Sequence, residues 1–337
     1  MKAYIIRRLL LMIPTLLGIT VLLFTLIQFL PGGPVEQYVS KLRQTLSVQG
    51  VDVNTAITET ELENIRAYYG YDRPAYERYF IWLGNVARLD LGESFSYHQP
   101  VWDVIVQRMP ISLFFGLTSF LIAYAVCIPL GFKKAIEHHS RFDVISSGLI
   151  FAGYVIPGYV LGLLLIVFFA GGSYLDLFPV SGVVSDDWEY MGPVQQTIDF
   201  LRHMALPMTC YMASEFAFLT LLMKNSLLDE MGKDYVRTAI VKGAPFRTAI
   251  RKHALRNALI PIATRLSEIF TLIFAGALLI EKVFNIDGMG LLVYTSILDR
   301  DYNVVMGIIL LVGILTMLGR LFSDILYVVV DPRIRFD

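Results

Sequence analysis

Six long apolar segments constrain this chain more than any other feature of its sequence. They are residues 9–30, 111–131, 144–170, 204–223, 259–280 and 304–330. As a helix, the first segment spans about 33 Å, which is enough to cross a bilayer. Because lipid offers the backbone no hydrogen-bond partners, each segment must be helical. The sequence therefore predicts an all-α polytopic membrane protein with about six transmembrane helices.

Composition agrees with a membrane protein, since 55% of the residues are hydrophobic and only 17% are charged. The net charge of −1 provides no basic excess that would indicate a nucleic-acid partner. Cys127 and Cys210 lie inside apolar segments and lack the spacing of a zinc site or a disulfide framework. We expect both cysteines to be packing residues and predict no metal site.

Lysine and arginine in the connecting segments predict the orientation in the membrane. Residues 224–256 carry eight of them, and the first eight residues carry Lys2, Arg7 and Arg8. Positive residues concentrate on the cytoplasmic side. We therefore expect a bacterial inner-membrane protein whose termini are both cytoplasmic, with residues 1–30 as N-terminus and first span and 331–337 as tail.

Residues 31–110 are predicted to form a helical extracytoplasmic cap ahead of the transmembrane core, residues 111–330. Thr58 and Glu61 form a possible capping box for one helix, and Pro74 suits the first turn of a second. This cap can pack on the membrane domain, or it can serve as a docking surface for an extracytoplasmic partner. The sequence supports both interpretations equally.

The cytoplasmic segment 224–258 has the pattern of a short helix, a glycine hinge and a second helix. Asp234 is predicted as the N-cap, Gly243 as the residue that follows the helix, and Pro245 as the start of the second helix. Small Ala239 would let a partner surface approach closely. On charge alone, this loop could also merely determine the membrane orientation.

Two stretches of this loop resemble the coupling loop, or EAA loop, of binding-protein-dependent ABC importers in their dipeptide, oligopeptide and nickel permease form. They are Asp234-Tyr-Val-Arg-Thr-Ala-Ile-Val-Lys-Gly243 and His253-Ala-Leu-Arg-Asn-Ala-Leu-Ile-Pro261. Thr238-Ala239 stands where the general pattern has Glu-Ala-Ala, and Gly243 matches its invariant glycine. Because the glutamate is missing, no role of that carboxylate can be carried over.

The resemblance continues along the whole chain. Six further motifs of this chain resemble those of the B-type permeases of that family. They are Tyr4-Ile-Ile-Arg-Arg-Leu-Leu-Leu, Pro31-Gly-Gly-Pro34, Tyr71-Asp-Arg-Pro74, Arg88-Leu-Asp-Leu-Gly-Glu-Ser94, Arg108-Met-Pro-Ile-Ser112 and Asp331-Pro-Arg333. Ser140-Arg-Phe-Asp143 and Phe169-Ala-Gly-Gly-Ser-Tyr-Leu-Asp-Leu-Phe-Pro179 resemble the Yej-type oligopeptide (microcin C-type) permeases.

The resemblance implies a type I ABC importer permease fold and one permease subunit of an ATP-driven peptide importer. The implied partners are a second permease subunit, one or more ABC ATPase subunits, an extracytoplasmic peptide-binding protein, the peptide and the lipid bilayer. The residues implied to couple to the ATPase are Asp234, Tyr235, Arg237, Thr238, Ala239, Lys242, Gly243, Arg247, His253, Arg256 and Asn257.

This chain is not expected to be an enzyme. A P-loop needs G-x-x-x-x-G-K-[ST], but Leu227 replaces its first glycine and Asp234 follows Gly232-Lys233. ATP and magnesium are therefore expected on separate ATPase subunits, with no cofactor bound by this chain. An intramembrane hydrolase is disfavoured because no H-E-x-x-H motif is present. A self-sufficient secondary transporter or channel stays an alternative, as does nickel or another small solute as substrate.

Charged residues inside the apolar segments are expensive and suggest paired or water-lined sites. Glu215 is predicted to face the translocation path and meet a substrate amine, or else to be protonated or paired with another subunit. Two pairs are predicted to be structural because their spacing brings them together on one helix face. They are Arg265 with Glu268 and Arg320 with Asp324.

Overall fold

The computed structural model describes residues 2–29, 63, 72–172, 174–265 and 277–330. The helices of these residues, in chain order, are α1 (Lys2–Phe29), α2 (Ala75–Ala87), α3 (Val101–Ile136), α4 (Arg141–Val155), α5 (Gly158–Phe169), α6 (Pro193–Met231), α7 (Asp234–Val241), α8 (Phe246–Ala249), α9 (Leu255–Ala258), α10 (Ile260–Thr264), α11 (Leu278–Phe284), α12 (Met289–Leu298) and α13 (Tyr302–Val330). A π-helical turn, Ile250–Ala254, separates α8 from α9.

Three helices of the described residues are long and apolar enough to cross a membrane: Tyr4–Gln28 in α1, Val101–Ile136, and Tyr302–Ile325 in α13. Two bent helix pairs raise that number to five if each pair is one span. The remaining predicted segment, 259–280, cannot be followed because residues 266–276 lie outside the described part. The predicted all-helical membrane class is confirmed.

The predicted segment 144–170 is broken rather than merely kinked. Its halves, α4 and α5, meet at an angle of 99°. Ile156 takes an extended conformation (φ −82°, ψ 117°) because the ring of Pro157 disfavours helical geometry in the residue before it. Pro157 also lacks an N–H group, so the chain restarts as a new helix at Gly158.

Two compact units make up the chain, and four helices contribute residues to both. The first unit contains Met1–Arg8, Met109–Leu291 and Leu315–Asp337, and the second contains Leu9–Arg108 and Leu292–Ile314.

In the first unit, α3 and α6 approach closely where a glycine removes the side chain between them. A Cβ atom at Gly131 would lie 2.7 Å from the carbonyl oxygen of Thr220 and 2.6 Å from Met223. Both cysteines are buried without disulfides, as expected for packing residues. Cys127 joins the core that also holds Met223 and Leu227.

In the second unit, Asp301 holds the loop that precedes α3. Its carboxylate accepts hydrogen bonds from Ser94 Oγ at 2.5 Å and from the backbone N–H of Ser96 at 3.0 Å. Helix α2 follows Pro74 directly, which confirms the second helix predicted for the cap. The first one, from Thr58 to Gly70, lies outside the described residues apart from Glu63.

Candidate functional site

The short helix α7 has the predicted ending but a different beginning. Lys233 is the N-cap, and Asp234 is the first helical residue with no side-chain capping bond. The predicted N-cap is therefore wrong by one position, although a carboxylate in the first turn still favours the helix dipole. At the other end, Gly243 has a φ of +93°, the left-handed conformation that glycine adopts without strain.

Two backbone hydrogen bonds close this ending as a Schellman motif. The N–H of Gly243 donates to the carbonyl of Ile240 at 2.9 Å, and the N–H of Ala244 donates to that of Ala239 at 3.1 Å. The chain then enters α8 directly after Pro245, in agreement with the predicted second helix. We call residues 233–258 the knuckle.

The knuckle is attached to α6 by a buried apolar face. Val236 is the buried residue of α7, and it packs with Leu227 of α6 and with Ile250 and Ala254 of the π-helical turn. Ala239 is half-buried against the same core. Part of its small side chain therefore packs on this chain's own core, while the rest stays accessible, and its contact with a partner remains a prediction.

A polar network makes a second attachment. The hydroxyl of Tyr235 donates to the carboxylate of Glu230 on α6 and accepts from Asn257 Nδ2 at 3.1 Å. Lys233 Nζ lies 2.5 Å from Glu230 Oε1. Partial burial and then the hydrogen bond to Glu230 raise the pKa of Tyr235, so it stays a neutral donor at cellular pH. The side chains of Tyr235 and Asn257 thus form hydrogen bonds within this chain.

The outer surface of the knuckle is basic with an apolar tip. The predicted coupling residues that are exposed here are Asp234, Tyr235, Arg237, Thr238, Lys242, Gly243, Arg247, His253 and Arg256. Sequence reasoning missed the apolar tip, which consists of Val241, 87% exposed, with Ile240 and Phe246 beside it. The sequence did contain a signal for this tip, because Val241 stands directly before Lys242-Gly243, where the helix ends. The turn that follows does not cover the valine side chain.

The π-helical turn Ile250–Ala254 was also missed. It buries Ile250 and Ala254 while it presents Arg251, Lys252 and His253 outward. Such turns within α-helices occur often at functional sites, because one extra residue changes the direction of the side chains that follow.

A buried charge cluster joins three helices next to the knuckle. Lys224 Nζ on α6 lies 2.8 Å from both carboxylate oxygens of Asp143 on α4. Lys134 Nζ on α3 lies 3.2 Å from Asp143 Oδ1 and donates to Ser146 and Ser147 at 2.6 and 2.8 Å. Lys134 is fully buried, so its charge depends on these partners.

Sequence reasoning did not identify this cluster. A local signal was present in Ser140-Arg-Phe-Asp143. The hydroxyl of Ser140 accepts from the N–H of Asp143 at 3.2 Å as a helix N-cap, which places Asp143 in the first turn of α4. Lys224 could not be assigned to Asp143 because it lies 81 residues away in sequence, on α6.

Glu281 is a second buried carboxylate that sequence reasoning missed. It is fully buried and accepts four hydrogen bonds: from Tyr211 at 2.9 Å, from Ser112 at 3.2 Å, and from the N–H groups of Ala277 and Leu291 at 3.2 and 2.8 Å. A Cβ at Gly288 would lie 2.6 Å from its Oε2, so glycine is needed there. These bonds make Glu281 a structural junction in the first unit.

Glu215 lies at a 45° bend of α6, between the straight parts Pro193–Ala213 and Glu215–Met231. Its side chain is half-buried, and within the described part of the chain it forms no hydrogen bond or ion pair.

One predicted structural pair lies partly outside the described residues, and the acidic member of the other binds α1. The guanidinium of Arg265 lies 4.2 Å from the ring centre of Phe218, while Glu268 is outside the described residues. Asp324 binds Arg8 Nη2 at 3.0 Å and the hydroxyl of Tyr4 at 2.9 Å, whereas Arg320 is exposed. The proposed pairing of Arg320 with Asp324 is thus replaced by a contact with α1.

Comparison with known proteins covers the whole chain. The family of "Binding-protein-dependent transport system inner membrane component" matches residues 127–336, and its N-terminal membrane component matches residues 1–116. The peptidoglycan transport system permease protein YejB of Agrobacterium fabrum is 39% identical over 100% of this chain and 99% of its own.

Two further relatives align over 100% of both chains. The inner membrane ABC transporter permease protein YejB of Escherichia coli O157:H7 is 40% identical, and the oligopeptide transport system permease protein AppB of Bacillus subtilis is 34% identical. The resemblance inferred from the loop motifs is confirmed. This chain belongs to the family of inner-membrane components of binding-protein-dependent transport systems.

Proposed function

We propose that this chain is one permease subunit of an ATP-driven peptide importer and that its knuckle converts closure of the ATPase into movement of the membrane helices. The observation that carries the coupling role is the exposed basic and apolar surface of α7 and α8 on a base that is itself buried and hydrogen-bonded. Relatives whose names refer to oligopeptides and dipeptides support peptide as the substrate class.

The knuckle suits a joint that transmits force. Val241 at its tip offers apolar surface, and Arg237, Lys242 and Arg247 around it offer positive charge. An ATPase groove with an apolar floor and acidic rim would complement this surface. In this proposal the knuckle is cytoplasmic, and ATP and magnesium are bound by the ATPase.

Two attachments would carry the movement of the knuckle onward. Tyr235 connects α7 to the end of α6 through its hydrogen bond to Glu230. Val236 makes a second connection through the buried apolar core. Earlier on α6, Lys224 binds Asp143 of α4. A displacement of α7 would thus reach α6 and α4 together, because neither attachment contains a flexible link.

Glu215 is the candidate for substrate contact along the path. A carboxylate at a bend within a membrane helix, with no partner among the described residues, suits a positively charged peptide terminus. In this proposal the pore is shared with a second permease subunit, and a peptide-binding protein delivers the peptide from the extracytoplasmic side.

Copurification tests this function. The tagged chain, isolated from its native membranes, should carry ATPase subunits and a second permease, and the reconstituted complex should hydrolyse ATP faster when peptide-loaded binding protein is added. Peptide transport by the isolated chain without any ATPase subunit would instead establish a self-sufficient transporter.

A further inference from the structure

Helix α2 in the second unit has a side that packs on α1. The hydroxyl of Tyr79 lies 3.0 Å from Thr20 Oγ1, and its ring meets that of Phe24 edge-on at 5.4 Å between centroids. One residue earlier, Arg78 Nη2 binds Gln28 Oε1 at 2.6 Å. These contacts place α2 alongside the last turns of α1.

The depth of these contacts bears on where α2 lies. The apolar span of α1 ends at Gln28, and Thr20 and Phe24 belong to that span. At 1.5 Å per residue, Thr20 lies about 12 Å and Phe24 about 6 Å inward of Gln28. Since α2 reaches both residues, it lies beside the apolar span of α1.

The remaining sides of α2 differ in character. Tyr76 and Phe80 are neighbours at i and i+4 and are 64% and 66% exposed. Across the helix from them, Asn85 is exposed, and Glu77 and the 45% exposed Ile81 lie between the aromatic pair and Asn85. Among the described residues, the helix therefore has three sides: one on α1, one aromatic and exposed, and one mixed side that ends at the polar Asn85.

We propose that α2 is a membrane-interface helix whose Tyr76 and Phe80 side chains enter the lipid at the Gln28 end of α1, while Asn85 faces water. Aromatic side chains concentrate at the lipid–water interface, and amphipathic helices bury their apolar side about 5–10 Å into it. The neighbouring part of α1 exposes Val21, Leu22 and Leu26 at the same level, so the aromatic pair continues an apolar surface.

This inference is independent of the peptide importer function. It selects lipid rather than the extracytoplasmic binding protein as the neighbour of this part of the cap. It also gives α2 a mechanical role, because a helix held by lipid on one side and by α1 on the other would anchor the cap to the membrane surface.

Site-directed spin labelling of the assembled transporter in liposomes tests the proposal. One variant carries Phe80→Cys and the matched control carries Asn85→Cys, in complexes whose other subunits lack reactive cysteines. Cys127 and Cys210 of this chain are buried and should not react. Collisions with molecular oxygen report lipid exposure, and collisions with a water-soluble nickel chelate report water exposure.

The Phe80→Cys label is expected to favour oxygen over the nickel chelate, with the opposite preference at Asn85→Cys. Tyr76→Cys, on the lipid side, should reproduce the result of Phe80→Cys and guards against a local disturbance. Equal nickel access at residues 80 and 85 would overturn the proposal. Exclusion of both reagents at residue 80, or a loss of oxygen access when binding protein is added, would show a protein partner and overturn it as well.

Discussion

At the scale of single residues, the proposed function rests on a backbone angle and on carboxylates whose partners differ. Gly243 holds a left-handed φ of +93°, and a Cβ atom added there would have no heavy atom within 4 Å, so strain rather than a clash would oppose a substitution. Glu281 has four donors, whereas Glu215 has no partner among the described residues. Only the second has binding capacity to spare.

Gly243→Val tests the turn that ends α7. A β-branched residue in this conformation costs about 1–2 kcal/mol, equivalent to a factor of about 5–30 in the population of the correctly closed turn. We expect stable assembly but a several-fold loss of ATP-driven peptide uptake, measured in proteoliposomes.

Gly232→Val is the matched control, since Gly232 has an ordinary helical φ of −77°. It should retain uptake close to that of the unmodified protein. Equal uptake by the two variants would contradict the role assigned to the Gly243 turn.

Glu215→Gln tests the proposed contact with a substrate amine. A charge-assisted hydrogen bond contributes about 1.5–3 kcal/mol, and each 1.4 kcal/mol is tenfold in affinity, so half-saturation of uptake should require at least about tenfold more peptide. An N-acetylated peptide serves as the control, because it has no amine to lose. A comparable effect on both peptides, or on neither, would remove Glu215 from the substrate path.

At the scale of elements, buried charge determines how α3, α4 and α6 are held together. Lys134, Asp143 and Lys224 come from one helix each and meet at distances of 2.8–3.2 Å. Removal of one partner from such a group is costly because the others stay buried with their charge. In the proposed mechanism, the cluster lies on the route from the knuckle to the membrane helices.

Asp143→Asn should therefore destabilise the protein strongly. The substitution leaves two buried lysines without a counter-charge, and loss of one partner from a buried pair costs about 3–5 kcal/mol. A clear fall in the thermal unfolding temperature of the purified complex is expected. Asp229→Asn, at an exposed position of α6, should leave that temperature nearly unchanged. A similar small effect of both variants would show that the cluster is not a structural link.

At the scale of the whole molecule, the chain displays an apolar tip on the knuckle and belongs to a family of binding-protein-dependent transport components. An exposed valine within a ring of positive residues has the anatomy of an interface centre, where a few residues carry most of the binding energy.

Val241→Glu should reduce the amount of ATPase that copurifies with this chain. The substitution replaces the apolar centre of the docking surface with a charge, and a loss of about 2 kcal/mol at such a position lowers affinity about thirtyfold. Val194→Glu provides the control, because Val194 is also exposed but lies in the first turn of α6, far along the chain from the knuckle. Equal ATPase recovery with both variants would exclude Val241 from the interface.

The sequence by itself determined the helical membrane class, the turn at Gly243 and the family, because these depend on local hydrophobicity, on the φ angles open to each residue and on motifs within one stretch. Only the tertiary structure decided that Ala239 packs partly on the core of this chain, that Asp324 binds Arg8, and that Asp143 binds two lysines. These outcomes depend on which charged groups and surfaces meet across tens or hundreds of residues. A buried charge takes its partner from the helices that pack around it, and its own sequence neighbourhood does not reveal which helices those are.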